Sequence, residues 1–112
     1  MTSLETARLA AKALDSKKGL DIKIIKIDDI SSIADYFVIA TGTSNTHVKA
    51  LADEVEYQLD QAGLSASGIE GQRNDTWILI DYIDVVVHVF SEDAREYYSL
   101  EHLWEDGEII EG

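Results

Sequence analysis

The residues best suited to chemistry in this sequence are three aspartates and three histidines. Asp75, Asp81 and Asp84 lie close together along the chain, and converging carboxylates can hold the divalent metal that nucleotidyl transfer requires. Asp81 and Asp84 flank a predicted turn, however, and so do not share one face of a strand. We therefore favour turn-forming, solvated carboxylates over a metal site.

The histidines are scattered rather than clustered. His47 lies in the first turn of a predicted helix, His88 in an apolar strand and His102 in the last predicted helix. A single histidine on an apolar strand is more often a hydrogen-bonded core residue than a ligand or a general base. No cysteine is present, which excludes a thiolate nucleophile and a cysteine-ligated metal. The sequence thus predicts no catalytic residue, no metal and no cofactor.

The loop Gly42-Thr43-Ser44 lies between an apolar strand and a helix, where free amides could attract a phosphate. It matches neither of the glycine-rich nucleotide motifs, GxGxxG and GxxxxGK[ST]. The commoner use of such a loop is to cap the following helix, and Ser44 has the right side chain to do so. We therefore predict that Ser44 is an N-cap.

Hydropathy periodicity predicts a single α/β domain over residues 1–112. Thr2 and Glu5 form a capping box ahead of an amphipathic helix, and the strand over 20–27 has an alternation that slips once, which predicts a bulge. The run 36–41 is β-prone throughout and is expected at the centre of the sheet. The remaining predicted elements are a helix over 45–62, a short strand at 69–70, strands over 77–82 and 85–90, and a last helix capped by Ser91 and running to about Trp104.

The connections between these elements indicate a mixed β-sheet flanked by helices. A tight turn such as Ile83-Asp84 joins only antiparallel neighbours, whereas the helix over 45–62 can cross over to a parallel strand. Asp106 and Gly107 are expected to end the last helix. The acidic tail, about 106–112, is then predicted to be too short to pack far onto the domain.

The charge of the chain bears on its partners. The formal net charge of the 112 residues is −13, and residues 64–112 hold twelve acids against two bases. This field repels phosphate backbones and anionic lipid, which disfavours direct nucleic-acid and membrane binding. No apolar stretch approaches the ~20 residues that span a bilayer, and the N-terminus lacks the pattern of a signal peptide. A cytoplasmic location is therefore expected.

Aromatic residues gather in the same acidic half, which contains both tryptophans. Aromatic anchors within an acidic rim are typical of a protein-binding surface. An alternative is that one face of the last helix simply packs on the sheet, which would account for part of the set. The predicted partner-binding residues are Trp77, Asp81, Tyr82, Asp84, Tyr98, Leu100, Glu101 and Trp104.

Several motifs of the sequence resemble the ribosomal silencing factor family, also called iojap-like. They lie at residues 35–44, 47–52, 70–71, 77 and 81–90, and together with the aromatic segment 95–104 they cover nearly the whole chain. The resemblance implies a nucleotidyltransferase-like fold without the catalytic carboxylates, and a role that is not enzymatic. It further implies that the chain binds ribosomal protein fourteen of the large ribosomal subunit, so that the small subunit cannot join and translation is repressed when nutrients are scarce. Family members often form homodimers.

Two positions depart from the family pattern. The residue directly ahead of His47 is Thr46, where the family commonly has arginine. The turn after the Trp77 strand usually contains glycine, and this chain has Ile83 there. A β-branched residue tolerates a positive φ poorly, so the turn must use another geometry or carry strain. Two other functions stay open at this point, a metal-dependent nucleotidyltransferase and an acidic dimeric adaptor for another basic protein.

Overall fold

A mixed sheet lies at the centre of the computed structural model, which describes residues 1–28, 32–71, 76–99 and 108–110. Within these residues the sheet has six strands in the order β3-β4-β5-β2-β1-β6. In chain order the elements are α1 Ser3–Ser16, β1 Leu20–Lys26, β2 Tyr36–Gly42, α2 Asn45–Gln61, β3 Gly68–Glu70, β4 Trp77–Asp81, β5 Val85–Ser91, α3 Glu92–Tyr98 and β6 Glu108–Ile110. The predicted α/β class, with helices flanking a mixed sheet, is confirmed.

Strand β2 occupies the centre of the sheet, as its continuous apolar sequence predicts. All seven residues are buried, and the strand pairs parallel with β5 and antiparallel with β1. The crossover through α2 makes the parallel pairing possible. Ser44 caps α2, and its side chain accepts a hydrogen bond from the His47 amide at 3.1 Å. Thr2 and Glu5 form the predicted capping box of α1.

The two faces of the sheet are covered unequally. Helices α1 and α2 pack on one face and form the larger core with residues such as Leu14, Val38 and Leu51. The smaller core lies on the other face and includes Phe37 and Phe90, with α3 contributing Ala94. Among the described helices, none is long and apolar enough to cross a membrane.

The irregularity of β1 is confirmed, and its place differs from the point where the sequence alternation slips. The register shifts between Leu20 and Lys23, and Asp21 has a φ of 52°. The adjacent Ile24 and Ile25 are regular strand residues that enter the larger and the smaller core respectively. Two consecutive apolar residues are therefore explained by a strand that is buried on both faces.

Two predictions about the C-terminal part are wrong. Glu108–Ile110 pairs antiparallel with β1, and Ile110 packs against the larger core, so this part of the tail is a strand. Helix α3 ends at Tyr98, so the predicted continuous helix is interrupted there, and the rest of its predicted range, to about Trp104 with the end at Asp106 and Gly107, lies outside the described residues. Ser99 adopts a left-handed conformation with a φ of 46°, and its hydroxyl donates to the Glu96 carbonyl at 2.7 Å. This side-chain bond competes with continuation of the helix.

Candidate functional site

The smaller-core face carries a cluster of aromatic rings built around Trp77. Its ring centroid lies 5.0 Å from that of Phe90 and 4.5 Å from that of Tyr98. Trp77 and Phe90 are register partners in the β4–β5 pairing. Tyr98 reaches the same place because α3 starts directly after β5, with Ser91 as its N-cap. Two neighbouring strands and one short helix therefore hold the Trp77 ring.

A hydrogen bond to a buried histidine fixes the orientation of the Trp77 indole. Its Nε1 donates to Nδ1 of His88 at 3.1 Å. His88 is 3% exposed, and burial lowers the pKa of its imidazole to about 3. The ring is therefore neutral, and since Nδ1 accepts, the remaining proton lies on Nε2. The prediction that His88 is a hydrogen-bonded core residue is confirmed.

The face around Trp77 is only partly covered in the described residues. Trp77, Leu79 and Val86 are half-buried, while Tyr98 is 44% exposed. Side chains alternate along β4, and those of Ile78 and Ile80 enter the larger core. Leu79 therefore lies on the other face of the sheet, together with Trp77. We call Trp77, Leu79, Val86 and Tyr98 the open strip. A partly exposed apolar strip with a fixed aromatic ring has the character of a protein-binding surface.

A glycine lies next to this strip where no other residue fits. Gly71 follows β3 with a φ of 85°, and a Cβ added to it would overlap the carbonyl oxygen of Trp77. The backbone at position 71 can therefore approach Trp77 closely only when the residue there is glycine.

The structure separates two of the aromatic residues that the sequence grouped into one surface. Tyr82 packs against the larger core on the opposite face of the sheet from Trp77. Burial and the nearby carboxylates of Glu56 and Asp60 raise the pKa of its phenol to about 12. The grouping of Tyr82 with Trp77 on one patch is therefore wrong. The physical reason is strand alternation, which turns side chains of odd and even positions to opposite faces.

Asp81 and Asp84 lie at the turn that follows β4. Asp81 lies opposite Val86 at the rim of the open strip, and its Oδ1 accepts a hydrogen bond from the Ile83 amide at 2.7 Å. The carbonyl of Asp84 accepts from the amides of Asp35 and Tyr36 at 2.8 and 3.1 Å. No group of three potential metal ligands occurs among the described residues, and Asp75 lies outside them.

The remaining predicted partner-binding residues, Leu100, Glu101 and Trp104, also lie outside the described residues. The glycine-containing loop before α2 acts as a cap, as predicted. Besides the bond to Ser44, the amide of Thr43 donates to Nδ1 of His47 at 2.9 Å, and Nε2 of His47 donates to the Lys17 carbonyl at 2.8 Å. The Thr43 and His47 amides are thus already bonded within the loop, which favours capping over phosphate binding.

The turn between β4 and β5 carries backbone strain at Ile83. The amide of Asp84 donates to the carbonyl of Tyr82 at 2.9 Å, and Ile83 between them has a φ of 73°. A hydrogen bond across three residues with a positive central φ is a γ-turn of the rarer, strained kind. Of the two outcomes that the sequence left open, the strained turn is the one observed. The Ile83 side chain is 68% exposed, so burial does not offset this strain.

Replacing Ile83 by glycine should therefore raise the free energy of unfolding by about 1 kcal/mol, because glycine adopts a positive φ without steric conflict. Urea denaturation of both proteins measures the difference. Ile83→Ala is the matched control, since it removes the same exposed apolar side chain and keeps a Cβ at the strained position. A glycine variant no more stable than the alanine variant would contradict this explanation.

Comparison with known proteins gives one consistent family. The model of the family described as "Ribosomal silencing factor during starvation" matches residues 1–111. The ribosomal silencing factor RsfS of Bacillus subtilis is 40% identical over 111 residues, which cover 99% of this chain and 94% of the relative. A crystal structure of a Chromobacterium violaceum protein superposes with a TM-score of 0.92 at 41% identity, covering 94% of this chain and 88% of the other. A mouse protein named "Mitochondrial assembly of ribosomal large subunit protein 1" is 31% identical, over 81% of this chain and 41% of its own length.

Proposed function

This chain belongs to the ribosomal silencing factor family, and we propose that it binds ribosomal protein fourteen of the large ribosomal subunit and thereby prevents the small subunit from joining. The action is steric and requires no catalysis by this chain. Its consequence is repression of translation when nutrients are scarce. The observation that carries the proposal is the open strip, an apolar surface with a fixed tryptophan beside acidic residues.

The open strip has the composition of an interface centre. Trp77 is held by two rings and one hydrogen bond, so little side-chain freedom is lost when a partner covers it. Leu79, Val86 and Tyr98 extend the apolar area on the same side of the sheet. A standard interface buries ~800 Å² on each partner, and a few well-packed aromatic anchors contribute most of its binding energy.

Charge supports a basic partner on the ribosome. The chain has a net charge of −13, and Asp81 and the exposed Asp84 lie at one end of the open strip. Charge complementarity of this kind speeds association and makes it sensitive to salt. The name of the mouse relative connects that protein with assembly of the large ribosomal subunit, which supports the large subunit as the partner of this chain. The homodimer and the cytoplasmic location expected from the sequence stay predictions.

Co-sedimentation with purified ribosomal subunits tests the proposal. The protein is mixed with large and small subunits separately and then together, at low and at moderate salt, and the fractions of a sucrose gradient are assayed. We expect binding to the large subunit alone and a smaller peak of joined ribosomes. Binding to neither subunit would refute the proposal. Binding to the large subunit without loss of joined ribosomes would instead favour an adaptor that leaves the subunit interface accessible.

A further inference from the structure

A recess lies on the face of the sheet opposite the open strip. It is formed by the C-terminal half of α2, the segment that follows α2, strand β3 and Tyr82 directly after β4, and its volume is about 390 Å³. We call it the α2 groove. The residues that define its chemistry are Glu56, Tyr57, Asp60, Leu64, Ile69 and Tyr82.

Apolar and aromatic side chains form the floor of the α2 groove. Leu64, Ile69 and Tyr82 are partly buried against the larger core and leave the rest of their surface facing the groove. Tyr57 is 61% exposed at its edge. Such a surface can pack against the methylene stem of a long side chain, and tyrosine faces attract cations.

The charges beside this floor are of one sign. Asp53, Glu56 and Asp60 follow one another along α2 at intervals of three and four residues, a spacing at which like charges destabilise a helix. Among the described residues none of the three has an ion pair or a hydrogen bond through its carboxylate. By contrast, Glu54 on the neighbouring side of α2 lies 3.9 Å from Lys17 and accepts from Gln58.

The titration of the groove residues agrees with this uncompensated charge. Burial and the carboxylate of Asp53 raise the pKa of Glu56. Burial, then Glu56 and Asp60, raise the pKa of Tyr82 to about 12. Both groups thus lie where negative charge is disfavoured, and a cation placed there would relieve the repulsion.

We propose that the α2 groove is a docking site for a basic protein segment, in which a lysine or arginine side chain lies along the apolar floor with its charge between Glu56 and Asp60. Charge complementarity selects this occupant, because the groove presents two carboxylates and no basic residue among its lining. The methylene stem of the partner's lysine or arginine covers Leu64 and Ile69, and the charged group at its end lies within reach of the Tyr57 and Tyr82 rings. The proposal is independent of the ribosomal partner, since the groove and the open strip lie on opposite faces of the sheet.

Titration of the isotope-labelled protein with a short blocked peptide containing two arginines tests this site. A peptide with citrulline in both places has the same shape and no charge, and serves as the matched ligand. We expect saturable shifts of the amide signals of residues 56–69 with the arginine peptide only. The double variant Glu56→Gln with Asp60→Asn should weaken this binding by about fivefold or more, as expected when two charge-assisted contacts are lost.

A charge-matched control distinguishes binding at the α2 groove from general electrostatic attraction of the peptide to an acidic protein. Asp15→Asn with Asp21→Asn removes the same charge from α1 and β1, and β1 lies three strands away from β4 in the sheet. This variant should bind the arginine peptide within about twofold of the original protein, since distant exposed charges are largely screened. Equal weakening in both double variants, or shifts that spread over the whole surface, would overturn the proposal. Shifts confined to the open strip would overturn it as well.

Discussion

Replacing Trp77 by alanine should weaken binding to the large ribosomal subunit by about 2 kcal/mol or more, which is roughly a thirtyfold rise in Kd. The indole is the largest partly exposed side chain of the open strip, and three neighbours hold it in one orientation: Phe90, Tyr98 and His88. A partner that covers such a ring gains its apolar area with little loss of conformational freedom. Co-sedimentation over a range of protein concentrations measures the change in Kd.

The same substitution should also lower the free energy of unfolding by about 2–4 kcal/mol, because it leaves a cavity beside Phe90 and removes the donor to the buried Nδ1 of His88. Binding must therefore be compared under conditions in which circular dichroism shows both proteins folded. Tyr98→Ala affects a more exposed ring of the strip and should weaken binding with a smaller loss of stability.

Ile109→Ala provides the matched surface control for these two variants. Ile109 is 60% exposed on β6, four strands away from β4 in the sheet. Its replacement removes an exposed apolar side chain of comparable kind and should leave the Kd unchanged. A folded Trp77→Ala protein that binds as tightly as the Ile109→Ala protein would exclude the open strip from the interface.

The elements that the sequence predicts well are those specified by local signals. Strand β2 reads as apolar throughout because both of its faces are buried, and α2 combines an N-cap at Ser44 with a regular apolar stripe. Neither element needs knowledge of distant residues. Strand β6 is different, since its three residues are fixed by pairing with Ile24–Lys26, more than eighty positions earlier. Nothing in the acidic sequence around Glu108 indicates that pairing.

The candidate site could be predicted only in part, for a similar reason. That Trp77 and His88 belong together depends on the register of β4 against β5, which the local pattern of neither strand determines. The separation of Tyr82 from Trp77 follows from simple alternation, whereas aromatic composition alone grouped them. The end of α3 depends on the backbone of Ser99, a residue whose type permits both helix and turn.

The buried His88 leads to a prediction about pH. Its pKa is lowered from 6.5 to about 3 by burial, so the unfolded chain takes up a proton in this range that the folded chain does not. The stability that depends on neutral His88 is therefore complete above pH 6.5 and decreases as the pH falls toward 3. The free energy of unfolding should fall by about 1.4 kcal/mol for each pH unit from this group. Urea denaturation at several values between pH 7 and pH 4.5 measures the slope.

Two variants separate the contribution of His88 from those of other titrating groups. His88→Phe keeps an aromatic ring beside Phe37 and Phe90 and removes the proton site, so its slope should be shallower by that amount. Trp77→Phe removes the hydrogen bond but keeps the imidazole buried, so its slope should match the original protein. Equal slopes in the original protein and in His88→Phe would contradict a buried neutral histidine. Since the lowered pKa keeps His88 an acceptor at neutral pH, the orientation of Trp77 should not change between pH 6 and pH 8, and neither should its contribution to binding.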